Sequence, residues 1–95
     1  MGLKEAYQEK MEAQLKEWSA DIEKLKAKAA TASADVKVEY YTQIEAIKAK
    51  HQNAHGKLQE LSKSNEAAWE NLKAGAENSI AELRKGLNNA FDKFK

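Results

Sequence analysis

Thr31-Ala32-Ser33-Ala34-Asp35 is the stretch on which the fold turns. Read as helix, it joins everything before it to everything after it. Read as a turn, it folds residues 1–30 back along the chain. Thr31, Ser33 and Asp35 are residue types that can cap a helix start, because their side chains accept from its free N–H groups. Alanine is the strongest helix former, however, and neither glycine nor proline interrupts the segment. Local propensity therefore favours helix through 31–35 and places the reversal elsewhere.

Outward from this stretch, apolar positions recur at helical spacing in both directions. Leu3, Tyr7, Met11, Leu15, Trp18, Ile22, Leu25 and Ala29 lead into it, and Ala32, Val36, Tyr40, Ile44 and Ile47 lead away. The pattern continues through His51, Ala54, Leu58, Leu61, Asn65, Trp69, Leu72, Ala76, Ile80, Leu83, Leu87, Phe91 and Phe94. Its 25 steps over 91 residues average 3.64, which is a helix period and excludes strands. The mean exceeds the value of about 3.5 that winds a left-handed coiled coil, so nearly straight helix packing is expected. Toward the C-terminus an 11-residue repeat emerges, with Leu61, Leu72 and Leu83 in one phase, Trp69, Ile80 and Phe91 in another, and Gly75 recurring as Gly86.

Two further sites compete for the reversal. Gly56 could end a helix in the left-handed conformation, but one glycine inside a long helix costs only about 1 kcal/mol. Ser62-Lys63-Ser64-Asn65-Glu66 supplies three N-cap types followed by an acid and by Trp69, which restarts the stripe. The second site is the stronger. The expected fold is thus all-α: a single domain over 1–95 forming a long antiparallel helical hairpin or coiled coil, with helix 1 over about 3–62, a turn at about 62–65 and helix 2 over about 66–95.

In such a hairpin the short arm covers residues 32–61 only, and the Leu3–Ala29 stripe is left bare. Bare apolar stripes mark contacts, so a homodimer of antiparallel hairpins is expected. Its seam is assigned to Leu15, Trp18, Ile22, Leu25, Ile44, Ile47, Trp69, Leu72 and Ile80. The alternative architecture breaks at 31–35 as well and closes into a three-helix bundle that needs no partner.

Composition narrows the function classes. Of the 40 residues that make up the 42% hydrophobic fraction, 17 are alanine, leaving 23 large apolar side chains. Sixteen basic and 15 acidic residues give a net charge of +1, spread evenly along the chain, with a single arginine at Arg84. Nucleic-acid binding needs a concentrated basic footprint, which this distribution does not provide. There is no cysteine, hence no disulfide, thiolate ligand or thiol nucleophile. The N-terminus carries no apolar signal core, no run reaches span length, and a cytoplasmic location is expected.

His51-Gln52-Asn53-Ala54-His55 sets two imidazoles one helical turn apart, a spacing that can chelate a transition metal. Gln52 stands where a zinc peptidase would carry its catalytic glutamate, and a carboxamide cannot act as a general base. His51 and His55 are therefore candidate metal ligands and nothing more, with a seam position for His51 as the plainer account. Glu12–Lys16, Glu23–Lys26, Glu45–Lys48, Glu60–Lys63, Glu70–Lys73 and Glu82–Lys85 are helix-supporting pairs rather than acid–base dyads. No catalytic residue and no cofactor is assigned.

Lys-Glu-Ala-Tyr at 4–7, Gln-Leu-Lys-Glu-Trp at 14–18, Val-Glu-Tyr-Tyr-Thr-Gln-Ile at 38–44 and Glu-Ala-Ala-Trp-Glu-Asn-Leu-Lys-Ala-Gly at 66–75 resemble a widespread group of short, uncharacterised bacterial coiled-coil proteins. The resemblance covers most of the length and implies a long helix with a turn before the 66–75 segment. It implies no activity, and His51 and His55 lie outside it. The expected function is that of a non-enzymatic structural or interaction protein that self-associates through its helical seam. The alternatives are an amphipathic binder of membrane or apolar granule surfaces, and a small metal-binding module at His51 and His55.

Overall fold

The computed structural model describes residues 2–65 and 67–94. They form three helices, α1 over Leu3–Ala30, α2 over Ala34–Lys63 and α3 over Trp69–Lys93, so the all-α expectation holds. The helices run up, down and up. Tyr7 meets Trp69 and Lys28 meets Phe91, which makes α1 and α3 parallel, while Tyr40 against Phe94 and Asn53 against Ser79 make α3 antiparallel to α2. The result is a rod of 51 × 19 × 18 Å with a radius of gyration of 15.3 Å. A spherical domain of this length would measure about 12 Å.

The continuous helix expected over 3–62 is divided at Thr31–Ser33, and the architecture is the three-helix alternative. The Thr31 hydroxyl donates to the Lys28 carbonyl at 3.2 Å, and the Ala32 N–H donates to Ala29 at 3.2 Å. Ser33 then turns extended, at φ −66° and ψ 161°, and α2 begins. Alanine content argued against this break because it measures only local preference. The reversal lets Met11, Leu15, Trp18, Ile22 and Leu25 bury themselves against α2 and α3. Each such side chain is worth about 1.5–3 kcal/mol. The few helix hydrogen bonds given up are worth about 1 kcal/mol each, so burial decides.

The second reversal falls where the capping chemistry put it, slightly later than the expected 62–65. The Ser64 hydroxyl and N–H both donate to the Leu61 carbonyl, at 2.6 and 3.2 Å, and end α2. The Asn65 side chain accepts the Ala68 N–H at 2.8 Å and its carbonyl accepts the Trp69 N–H at 3.1 Å, so Asn65 caps a short turn leading into α3. The start of helix 2 at Glu66 and its end at Lys95 lie outside the described residues. Gly56, the other candidate turn, sits inside α2 with no positive φ.

The core is a thin seam of Leu, Ile and Met closed by Ala29, Ala54, Ala76 and Ala90, all at most 1% exposed, which let the backbones approach. Both ends are fastened. The Lys4 ammonium donates to the Ser64 carbonyl, setting a cation on the electronegative end of α2. At the other end Tyr40 stacks on Phe94.

Candidate functional site

The seam residues assigned from the sequence are gathered inside one chain. Leu15, Trp18, Ile22, Leu25, Ile44, Ile47 and Trp69 are buried, and Leu72 and Ile80 are half-buried against them. The Leu3–Ala29 stripe on which the dimer expectation rested is thereby covered by α2 and α3, except for Leu3 itself, which is 70% exposed. Among the described residues, the large apolar side chains left exposed besides Leu3 are Val36, Val38 and Tyr41, all within the first two turns of α2.

A cleft of about 480 Å³ lies between α1 and α2. Leu15 and Leu58 floor it, both histidines line it, and Glu12, Lys16 and Gln59 are among its polar rim. Helical spacing sets His51 and His55 one turn apart on α2, and the antiparallel run of α1 brings Leu15 opposite. The His51 Nε2–H donates to the Leu15 carbonyl at 3.0 Å, since a carbonyl can only accept. That bond fixes the tautomer and spends one ring nitrogen on joining the helices. His55 is exposed. Among the described residues no group of three or more His, Cys, Asp or Glu is placed to hold a metal ion, so the histidine pair offers two ligands at most.

A second cleft, of about 220 Å³, opens between α1 and α3 beside Tyr7, Met11, Glu77 and Arg84. Tyr7 leans on Trp69 with ring centroids 6.2 Å apart, and the Lys73 ammonium sits 5.4 Å from one ring and 5.5 Å from the other. Burial, the charge of Glu77 and a hydrogen bond to that carboxylate push the Tyr7 phenol up from 10.0 to about 12. A phenol held protonated in this way is a hydrogen-bond donor joining α1 to α3 rather than a base. No local spacing signals the Tyr7–Glu77 pairing, which exists only once α1 and α3 lie parallel.

Elsewhere the polar groups are spent on structure. Glu23–Lys26 and Glu45–Lys48 pair as expected, at 3.2 and 3.9 Å, joined by Asp21–Lys24 at 3.8 Å. Ser79, buried and unforeseen, takes a hydrogen bond from the Asn53 amide at 3.2 Å and links α2 to α3. Among the described residues no buried side-chain nitrogen or oxygen lacks a hydrogen-bond partner. No helix is long and apolar enough to cross a membrane, again among the described residues. Comparison with known protein families, with curated proteins and with solved structures finds no match. The chain is thus defined by its architecture, an elongated all-α bundle of three helices.

Proposed function

We propose that the chain is a non-enzymatic structural or interaction protein that works through helix-to-helix association, with a second copy of itself as partner. One observation carries this reading: Val36, Val38 and Tyr41 stand 40%, 68% and 46% exposed within six residues of α2, at one end of a rod whose other large apolar groups are almost all packed. Isolated exposed apolar residues are ordinary, but three within two turns concentrate apolar surface at one end of the rod that a partner can cover. Val36 lies on the stripe, and Val38 and Tyr41 lie together on another side of α2. The clefts support the same reading. Their charged residues are solvated and of mixed sign, and the Ser62 hydroxyl beside the histidines donates to the Gln59 carbonyl at 2.9 Å instead of facing a base.

Sedimentation equilibrium over a wide concentration range, with co-flotation on vesicles of anionic phospholipid, tests the proposal. A mass that rises toward twice that of the chain, with no flotation, is the expected result. A strict monomer that floats with the vesicles would replace the proposal with the amphipathic-surface alternative, which the 11-residue repeat of α3 would then explain.

A further inference from the structure

The turn between α1 and α2 interrupts the apolar stripe without changing its phase. Ala29, Ala32, Val36, Tyr40 and Ile44 step by three and then four residues each time, so a helix drawn straight through 31–33 keeps a single apolar face from Met11 to Leu61. Nothing in the turn forbids that helix. Thr31 stands at φ −103° and ψ 2°, about 40° from helical values in each angle, and Ser33 departs from them in ψ alone, at φ −66° and ψ 161°. No residue there has a positive φ, and neither glycine nor proline is present. The Ser33 side chain makes no cap hydrogen bond that straightening would break.

We propose that the chain exchanges α1 with a second copy of itself. The 31–33 turn straightens, α1 and α2 become one helix over 3–63, and α1 of each copy packs on α2 and α3 of the other about a two-fold axis at the hinge. This inference rests on the self-association reading and gives it a mechanism. Every contact that α1 makes in the closed chain is remade between copies, including Lys4 on Ser64, Leu15 on His51 and Tyr7 on Trp69. Exchange therefore sacrifices nothing in the seam, which is the condition under which short hinges swap. It also adds contact where the two hinges cross: Val36, on the stripe and exposed in the closed chain, meets the partner's hinge. Val38 and Tyr41 lie together on another side of α2 and gain nothing.

Ala34→Pro separates the two states. Position 34 is the first residue of α2, where a proline ring fits and its missing N–H is no loss, and Ser33 already has the extended backbone that a residue before proline requires. In a continuous helix the same ring breaks the strand of hydrogen bonds. The wild type, Ala34→Pro and the double variant Thr31→Ala/Ser33→Ala are refolded from denaturant at high concentration and sized by chromatography with light scattering. The expected result is a monomer–dimer mixture for the wild type, a several-fold larger dimer fraction for the double variant, and a folded monomer of undiminished helicity for Ala34→Pro. Labels at Ser19→Cys and Gln52→Cys, which flank one cleft in the closed chain, then report the topology. On one continuous helix these positions lie about 50 Å apart. Energy transfer between copies carrying one label each, with transfer within a doubly labelled chain lost in the dimer, is the signature of exchange. A dimer that keeps the within-chain transfer, or one that Ala34→Pro forms as readily, overturns exchange and leaves self-association standing. A monomer at every concentration overturns both.

Discussion

The Tyr40 and Phe94 rings lie nearly parallel, with centroids 3.8 Å apart and 18° between their planes, and they tie the start of α2 to the end of α3. Such pairs contribute about 0.5–1.5 kcal/mol beyond the area they bury. Phe94→Ala should lower unfolding stability by about 1–2 kcal/mol in urea titrations, and the double-mutant cycle with Tyr40→Ala should show coupling of about 1 kcal/mol. Leu3→Ala, at an exposed position, should change stability by less than about 0.5 kcal/mol. A coupling indistinguishable from zero would show that the stack does not hold this end.

Gly56 and Gly75 lie inside helices, neither has a positive φ, and a Cβ at either position would meet nothing within 4 Å. Glycine there costs backbone entropy without serving a turn. Gly56→Ala and Gly75→Ala should each stabilise the fold by about 0.5–1 kcal/mol, and the double variant should gain close to the sum. A loss in either single variant, seen as a lower thermal midpoint, would contradict the open surroundings of these positions.

Tyr7 makes stability depend on alkaline pH. Its phenol holds its proton more tightly when folded, at about 12, than at the ordinary value of 10.0. The contribution is therefore complete below pH 10.0 and is lost as the pH rises through 12. Denaturant titrations across that window should show a steeper decline for the wild type than for Tyr7→Phe. Equal slopes would mean that Glu77 does not hold the phenol.

The hydrogen bond from His51 to the Leu15 carbonyl is one of the polar ties between α1 and α2. His51→Ala should cost about 1 kcal/mol, while His55→Ala, at an exposed position, should be near neutral. Zinc equimolar with the protein should leave the thermal midpoint of the wild type unchanged, because two imidazoles do not close a tetrahedral site. A rise abolished equally by either substitution would revive the metal-binding alternative.

The stripe was legible because a helical period survives any later folding decision. Spacing puts Leu15, Trp18, Ile22 and Leu25 on one apolar stripe, and the structure buries them within the chain, as in the three-helix alternative, rather than leaving them bare. The difference lies in range. Asn65 announces its turn with its own side chain, whereas the turn at 31–33 is decided by apolar groups dozens of residues away whose burial outweighs local helix preference. Ser79 and Ala90 each fall one residue before a larger stripe position, Ile80 and Phe91, so the apolar spacing passes over them. Their 11-residue separation, matching the repeat of Gly75 and Gly86, is the trace that could have placed them.

Three helices running up, down and up leave one peptide macrodipole without an opposite along the 51 Å axis. The backbone at the end holding Leu3, Lys63 and Trp69 carries the excess positive pole, equivalent to about half an elementary charge. A molecule almost neutral in sum, at +1, is therefore a vector that an applied electric field can orient. Two copies related by a two-fold axis across the rod cancel that vector, so electric birefringence would record pairing as the loss of its permanent-dipole contribution.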